Sequence, residues 1–362
     1  MNSRHGGNPW ALLEREAAGS GEVLDFSADL NPLGPPPGLE EVLLEGAREI
    51  RLYPEPSYQN LREALAEFEG TRPERLLVGN GTADLIHLIT RWAQPKRVAV
   101  VAPTFTEYER AAAADRAQVL PWLLREERGF SSEALEGPER LREAQVLFLC
   151  NPNNPTGGLW PQSQLRRWLE RAHRAGCLTV VDEAYMDFVG KGRRYSAAAW
   201  IEEFPQLVVL RSLTKIFSVP GLRIGYLVSS PERVSALSQV QPPWPVNGLA
   251  VRAGAWLVRQ EEYLEESRRE MERFKRVFET ALQGLSGLRP FPSEANFFLC
   301  RLTGPGASAE RLGGELSARG ILVRLCDDFR GLEPDRFFRT AVRTPEENSR
   351  LLEALREILR AG

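Results

Sequence analysis

Short apolar runs alternate with amphipathic stretches through most of the chain. Residues 61–68 and 165–175 place apolar side chains three or four positions apart, as amphipathic helices do. Between such stretches lie runs rich in valine and leucine, which are typical of strands buried on both faces. These runs cover residues 98–101, 146–150, 179–181 and 207–210. The alternation predicts an α/β domain with a mostly parallel sheet over residues 46–245.

The two ends of the chain have different patterns. Residues 1–45 predict an arm with a polar start, a short strand at residues 23–26 and a proline-rich turn. Three prolines within residues 242–245 mark the exit from the large domain. Residues 251–282, rich in glutamate and arginine, predict one long helix with a solvated face. Residues 246–362 predict a small α+β domain that packs with the arm. Its other expected elements are strands at residues 296–301, 321–325 and 338–342 and a helix at residues 346–359.

The composition limits the classes of function. The 362 residues carry a formal net charge of −3, which argues against a general nucleic-acid binder. No apolar run approaches about 18 residues and no signal-peptide pattern opens the chain, so we expect a cytoplasmic protein without a membrane partner. The four cysteines lie far apart and there are only three histidines. We therefore expect neither a disulfide framework nor a metal site.

A lysine closely preceded by two hydroxyl side chains follows the apolar run at residues 207–210. Ligands collect at strand ends, and a partly desolvated lysine there can form a Schiff base with an aldehyde. Ser212, Thr214 and Arg223 offer two hydroxyls and a guanidinium, a set suited to a phosphate dianion. An aldehyde and a phosphate on one small molecule indicate pyridoxal phosphate (PLP), with Lys215 as the catalytic residue. A solvated surface lysine is the simpler alternative.

Two further strand ends carry groups that complement this cofactor. Asp182 follows the run at residues 179–181, and a buried carboxylate there would keep a pyridine nitrogen protonated. Tyr185 lies three residues further on and can reach the ring hydroxyl. Asn154, in a proline-rich loop after residues 146–150, is a neutral donor to the ring oxygen. Helix capping by Asp182 and turn formation by Asn154 are the alternatives.

A glycine-rich loop precedes the apolar stretch at residues 85–92. Gly81, Thr82 and Ala83 are therefore expected at a helix N-terminus, where backbone N–H groups bind phosphate. Phe105 follows the first apolar run and is placed to stack on the cofactor ring; a core position is its alternative. Each feature alone is weak evidence, but together successive strand ends supply complementary groups for one cofactor.

Residues 5–343 resemble the fold-type I PLP enzymes of the class I/II aminotransferase superfamily. Within it they are most similar to the histidinol-phosphate aminotransferase branch, which includes the threonine-phosphate decarboxylases of cobalamin synthesis. The PLP motifs above carry the resemblance to the superfamily, and four further segments favour the decarboxylases. These segments are residues 5–8 (HGGN), 24–34 (LDFSADLNPLG), 243–247 (PWPVN) and 339–343 (RTAVR).

The resemblance implies a large domain with a seven-stranded, mostly parallel sheet between helices, a small α+β domain, and a homodimer. It implies that Arg339 binds the α-carboxylate of a phosphorylated amino acid and that Arg324 helps to bind its phosphate. His5 and Asn154 are the other implied substrate contacts. Tyr53 is implied to reach the PLP phosphate of the partner subunit. A disordered terminus is the alternative for His5, and an aromatic residue in a proline-bounded turn is the alternative for Tyr53.

Two residues depart from the decarboxylase pattern. Asp29 stands where the family often has asparagine near the substrate carboxylate, and Tyr185 is typical of aminotransferases where some decarboxylases have phenylalanine. On balance we expect PLP-dependent decarboxylation of O-phospho-L-threonine to aminopropanol phosphate. The alternative is an aminotransferase for histidinol phosphate or a related amino acid, using 2-oxoglutarate and glutamate. A PLP-fold regulator or binding protein without catalysis is a third hypothesis, which the presence of Lys215 disfavours.

Overall fold

A seven-stranded sheet forms the centre of the protein in the computed structural model, preceded by a short strand, β1 (Leu24–Asp25). The structure describes residues 6–10, 23–135, 138–190 and 192–361. The central strands are β2 (Leu76–Gly79), β3 (Arg97–Ala102), β4 (Gln118–Leu123), β5 (Val146–Cys150), β6 (Leu178–Asp182), β7 (Leu207–Ser212) and β8 (Gly225–Val228). They lie in the order β2-β8-β7-β6-β5-β3-β4, and every pairing is parallel except the two that β8 makes. The predicted mostly parallel sheet is confirmed.

Both faces of this sheet are covered by apolar side chains. Along β5, Leu147 and Leu149 join one buried cluster, whereas Val146 and Phe148 join a second cluster on the opposite face. Alternate residues of a strand point to opposite faces, so two clusters explain the unbroken apolar runs.

The helices along the described chain are α1 (Leu39–Ala47), α2 (Gln59–Glu69), α3 (Thr82–Ala93), α4 (Glu107–Ala114), α5 (Gln162–Arg174), α6 (Gly192–Tyr195), α7 (Leu213–Ile216), α8 (Pro231–Ser238), α9 (Gly248–Leu257), α10 (Glu261–Gln283), α11 (Ala309–Ser317) and α12 (Pro345–Ala361).

Two smaller sheets involve the carboxyl-terminal part of the chain. Their strands are β9 (Leu288–Pro290), β10 (Phe297–Leu302), β11 (Ile321–Leu322), β12 (Arg324–Leu325) and β13 (Phe337–Ala341). Four of them form an antiparallel sheet in the order β12-β13-β10-β9, whereas β11 pairs in parallel with β1. The prediction of one strand over residues 321–325 was therefore wrong. The chain changes partners at Val323, because the arm supplies a strand that no local pattern around residue 321 reveals.

Residues 251–282 do not form the single helix that their charge pattern predicts. α9 ends at Leu257 and α10 begins at Glu261, with Gln260 in a non-helical conformation between them. Glu261 and Glu262 occupy the first turn of α10, where carboxylates interact favourably with the helix dipole. The change from an apolar to a highly charged sequence coincides with this new helix start.

The amino-terminal arm is tied to the central part of the protein by a buried amide. Nδ2 of Asn31 lies 2.8 Å from the carbonyl oxygen of Ile216, 2.8 Å from Oγ of Ser267 and 2.9 Å from the hydroxyl of Tyr263. These contacts connect the arm to the end of α7 and to α10. The domain boundaries near residues 45 and 245 stay predictions. No helix in the described part of the chain is long and apolar enough to cross a membrane.

Candidate active site

Lys215 lies at the carboxyl edge of the central sheet, in the short helix α7 that follows β7. Ser212 accepts a hydrogen bond from the backbone N–H of Thr214 at 3.3 Å, which caps the helix start. The side chain of Lys215 is 26% exposed and borders a cavity of about 430 Å³. A lysine in this partly desolvated position is suited to carbonyl chemistry.

The predicted cofactor residues of this chain, with the exception of Tyr53, border the same cavity. They come from the start of α3, from loops after β3 and β5, from the ends of β6 and β7, and from the loop before β8. They are Gly81, Thr82, Ala83, Phe105, Asn154, Asp182, Tyr185, Ser212, Thr214 and Arg223. Parallel strands place their carboxyl ends at one edge of the sheet, so residues far apart in the chain meet there. Their individual roles toward PLP stay predictions.

Asp182 is buried at the end of β6, and its carboxylate accepts two hydrogen bonds within the protein. The hydroxyl of Tyr108 donates to Oδ2 at 2.8 Å, and the backbone N–H of Ala184 donates to Oδ1 at 3.0 Å. Burial raises the pKa of Asp182 despite these bonds, so a cation beside the carboxylate would stabilise its charged form. Asp182 caps a turn and not a helix, since the next helical segment starts at Met186.

Tyr108 belongs to the site through its contact with Asp182, and the sequence pattern did not predict this role. This tyrosine is fully buried in α4, and its ring stacks on Phe148 with the centroids 4.8 Å apart. Its hydrogen bond helps to fix the carboxylate of Asp182, which borders the cavity. In the sequence, Tyr108 could be noticed only as an aromatic residue with a hydroxyl group three positions after Phe105. The apolar pattern around it favours an ordinary core position.

The amino-terminal end of α3 forms a concave surface with a glycine and an arginine. Gly81 has a φ of +80°, and a Cβ atom there would lie 2.5 Å from Nη2 of Arg223. The positive φ favours glycine at this position, and the missing side chain leaves room for the guanidinium beside the backbone before Thr82. The hydroxyls of Ser212 and Thr214 lie 2.8 Å apart and border the same cavity. This set of backbone, hydroxyl and guanidinium donors fits a phosphate dianion.

Arg339 and Arg324 are direct neighbours across β13 and β12, and both border the cavity. They are 4% and 8% exposed, and each binds a carboxylate of the same chain. Arg324 donates to both carboxylate oxygens of Asp328 at 2.8 Å. Arg339 donates to Oδ1 of Asp29 at 3.0 Å and to Oδ1 of Asn154 at 2.6 Å. The structure brings the two predicted substrate arginines together, but sequence analysis did not predict these internal partners.

Asp29 connects Lys215 to Arg339. Its Oδ1 lies 3.3 Å from Nζ of Lys215, and its Oδ2 accepts a hydrogen bond from the hydroxyl of Tyr185. Burial opposes the charge on Asp29, but Arg339 and Lys215 outweigh it and hold the pKa of this carboxyl well below its usual value. Burial and the charge of Asp29 raise the pKa of Tyr185 well above its usual value, so Tyr185 stays a hydrogen-bond donor.

Comparison with known proteins identifies the family. Residues 22–355 match the family model of the aminotransferases of class I and II. The chain belongs to this family. A threonine-phosphate decarboxylase of Salmonella typhimurium is 34% identical over 360 residues, which cover 99% of this chain and 97% of that protein. A histidinol-phosphate aminotransferase of Symbiobacterium thermophilum is 35% identical over 359 residues, which cover 98% and 96%.

Solved structures agree with this assignment to the class I and II aminotransferase family. The crystal structure of L-threonine-O-3-phosphate decarboxylase from Porphyromonas gingivalis superposes on this chain with a TM-score of 0.81. The two sequences are 29% identical, and the aligned region covers 93% of this chain and 100% of that chain. The predictions of the family, of the PLP-dependent enzyme fold, of enzymatic activity and of PLP as cofactor are confirmed. The concave surface at α3 and the buried carboxylate of Asp182 fit this cofactor.

Two predicted contacts, His5 and Tyr53, are not among the described residues that border the cavity. His5 lies outside the described residues. Gly6, the residue after it, borders the cavity, and Gly7 donates its backbone N–H to Oγ of Ser27 at 2.9 Å. Tyr53 is not among the residues that border the cavity. It is 78% exposed, and its ring stacks on Trp244 with the centroids 4.5 Å apart.

Proposed function

We propose that this enzyme decarboxylates O-phospho-L-threonine to aminopropanol phosphate, as one step of cobalamin biosynthesis. The observation that carries the proposal is the pair of buried arginines, Arg324 and Arg339, which border one cavity with Lys215. A substrate with an amine, a carboxylate and a phosphate needs two anion sites, and a guanidinium is suited to either anion. The names of the relatives from S. typhimurium and P. gingivalis support the same substrate.

The residues at the sheet edge would hold the cofactor. When bound, PLP supplies a sink for the electron pair that a broken bond leaves on the amine-bearing carbon. Asp182 would bind the pyridine nitrogen, and the concave surface around Gly81 would bind the phosphate. Asn154 and Tyr185, whose side chains lie 3.5 Å apart, would face the ring oxygen.

Lys215 would act as the proton carrier of the reaction. Its amine borders the cavity and can deliver a proton to the Cα atom from which CO2 has left. Asp29, 3.3 Å away, orients this amine. Because Asp29 and Arg339 are buried, little water competes for their charges, which strengthens the electrostatic interactions in the site.

An aminotransferase that acts on histidinol phosphate is the second candidate. The similarity to the S. thermophilum protein supports it. Histidinol phosphate has a phosphate but no carboxylate, so Arg324 would bind this substrate. Arg339 would then bind a carboxylate of 2-oxoglutarate or glutamate.

Incubation with O-phospho-L-threonine in the absence of any keto acid separates the two candidates. We expect CO2 and an equal amount of aminopropanol phosphate, because decarboxylation needs no amino acceptor. Trapping of CO2 and phosphorus NMR of the product provide the measurement. Transfer of the amino group of histidinol phosphate to 2-oxoglutarate, without CO2 from phosphothreonine, would contradict the proposal and leave the cofactor assignment intact.

The phosphate contact can be tested by Arg324→Ala. Charged hydrogen bonds contribute about 1.5–3 kcal/mol, so we expect the KM for phosphothreonine to rise about 10- to 150-fold. Inhibition by plain threonine should change far less. Arg356→Ala, at an exposed position of α12, is the matched control. An equal loss for threonine and phosphothreonine would show that Arg324 does not bind the phosphate.

We also propose a homodimer in which Tyr53 reaches the site of the partner subunit. Four large apolar side chains between residues 44 and 53 are 61% to 78% exposed: Leu44, Ile50, Leu52 and Tyr53. Large apolar side chains exposed in one segment are typical of a protein–protein interface. Trp244, which stacks on Tyr53, is 42% exposed and adds to this surface.

A further inference from the structure

Asp29 holds a negative charge between two of the cations that border the cavity, Lys215 and Arg339. Its side chain is 5% exposed, and Oδ1 lies 3.0 Å from Nη2 of Arg339 and 3.3 Å from Nζ of Lys215. The other carboxylate oxygen accepts a hydrogen bond from Tyr185. Three side chains that border the cavity therefore keep this carboxylate in one position.

The guanidinium of Arg339 has few N–H groups left for a ligand. Nη1 donates to Asn154 at 2.6 Å, and Nη2 donates to the carbonyl oxygen of Ser27 at 3.0 Å as well as to Asp29. Nε is buried and has no hydrogen-bond partner among the described residues. A substrate α-carboxylate that binds Arg339 must share this cation with Asp29, so two carboxylates would meet at one guanidinium.

Two carboxylates at one guanidinium repel each other, and their repulsion is stronger where water is excluded. Cleavage of the bond between Cα and the carboxylate carbon converts an anion into neutral CO2, so the repulsion decreases along this path. Removal of the Cα proton leaves the carboxylate charged and brings no such relief. A fixed charge at Asp29 therefore stabilises the transition state of decarboxylation relative to the bound substrate, but not that of proton removal.

We propose that Asp29 is a specificity-determining residue that weakens the binding of the α-carboxylate and directs the reaction toward its loss as CO2. The proposal rests on the decarboxylase function proposed above. In this step the bond between Cα and the carboxylate carbon breaks, and CO2 leaves. The electron pair left on Cα, for which PLP would supply the sink, then forms a bond to a proton from Nζ of Lys215, and this proton takes the place of the carboxylate. The lysine regains a proton from solvent.

Asp29→Asn tests the charge with little change in shape. Suitable probes are 3-phosphoglycerate and glycerol 3-phosphate, because both carry a phosphate, neither has an amine, and only the first has a carboxylate. Calorimetry with the holoenzyme should show that the variant binds 3-phosphoglycerate at least about tenfold more tightly than the wild type. Binding of glycerol 3-phosphate should not change. Asp29→Glu is the matched control, because it retains the charge and should not tighten the binding of 3-phosphoglycerate.

The fate of phosphothreonine gives a second measurement. In deuterated solvent, NMR follows both CO2 loss and exchange of the Cα proton, and Asp29→Asn should shift the ratio toward exchange by at least about tenfold. If that variant does not fold, as judged by circular dichroism, Asp29→Ala should show the same two shifts.

Two results would overturn the proposal. One is unchanged binding of 3-phosphoglycerate when the charge of Asp29 is removed. The other is tighter binding with an unchanged ratio of CO2 loss to exchange, which would mean that Asp29 only competes for Arg339. A wild-type enzyme that releases no CO2 would refute the proposed function instead, while the binding comparison would still measure the effect of the charge.

Discussion

Among individual residues, Lys215 is the one whose replacement should cost the most activity. It is expected to anchor the cofactor covalently and to carry a proton, so Lys215→Ala removes two functions at once. We expect turnover to fall by several orders of magnitude without loss of the fold, as measured by steady-state kinetics and circular dichroism.

Borohydride reduction of the holoenzyme and peptide mapping then locate the anchor, and we expect the label on Lys215. Lys275→Ala is the matched control, because Lys275 is 17% exposed but donates to the carbonyl oxygen of Ser293 at 2.9 Å, away from the cavity. A label on any lysine other than Lys215 would contradict the assignment.

Gly6, which borders the cavity, provides a second test. A Cβ atom on Gly6 would overlap the carbonyl oxygen of Ser27, which is backbone and also accepts from Arg339. We expect Gly6→Ala to detach the amino-terminal segment and to raise the KM for phosphothreonine. Hydrogen exchange at the amide of Gly7, which donates to Ser27, measures the detachment.

The control for this variant is Gly314→Ala. Apart from its chain neighbours and the backbone of its own helix, no atom of the described residues lies within 4 Å of a Cβ at that position. It lies in the helix α11, so the change should be neutral or slightly stabilising. Unchanged exchange at Gly7 in the Gly6→Ala variant would show that the segment does not depend on this close contact.

Strand β7, helix α2 and the segment after β6 meet around one buried guanidinium. Arg211 is completely buried and lies 3.1 Å from Glu69, 3.4 Å from Glu183 and 3.0 Å from Asp187. Three carboxylates therefore share this one guanidinium. At Glu183, burial outweighs the attraction to Arg211 and raises the pKa of the carboxyl to about 7.

This pKa predicts how stability depends on pH. The folded protein retains a proton on Glu183 between pH 4.5, the ordinary pKa, and about pH 7, where the unfolded chain has released it. The free energy of unfolding therefore falls by up to about 3 kcal/mol as the pH rises through this range. Urea denaturation of Glu183→Gln should lack this part of the decrease. Glu353→Gln, at an exposed position, should keep it; equal pH profiles for wild type and Glu183→Gln would refute the prediction.

Local sequence patterns predicted the strands that are covered by apolar side chains on both faces of the sheet. Buried central strands such as β5 and β7 have unbroken apolar runs, and polar residues at their ends indicated the cofactor site. The pairing of Asp29 with Arg339 joins residues 310 positions apart, and nothing near either residue indicates it. The split between β11 and β12 at Val323 and the role of Tyr108 were not predicted for the same reason, since each depends on a distant partner.

For the whole molecule, we expect a dimer that is required for activity. Sedimentation velocity should give twice the mass of the chain. Ile50→Asp, at a side chain that is 76% exposed, should produce a monomer with little activity, because it places a charge in the proposed interface. Val277→Asp is the matched control, at a 65% exposed position on α10 outside that surface. A fully active monomer would contradict the expectation.

The pairing of β1 with β11 has a consequence for the synthesis of the chain. Leu24 leaves the ribosome about 300 residues before Ile321, its partner in the sheet. At about 5–20 residues per second, the delay is roughly 15–60 s. During this time Phe26, fully buried in the finished protein, lacks its final neighbours, and Asp29 has not yet met Arg339. The nascent chain therefore stays inactive, and open to chaperones, until about its last tenth has been translated.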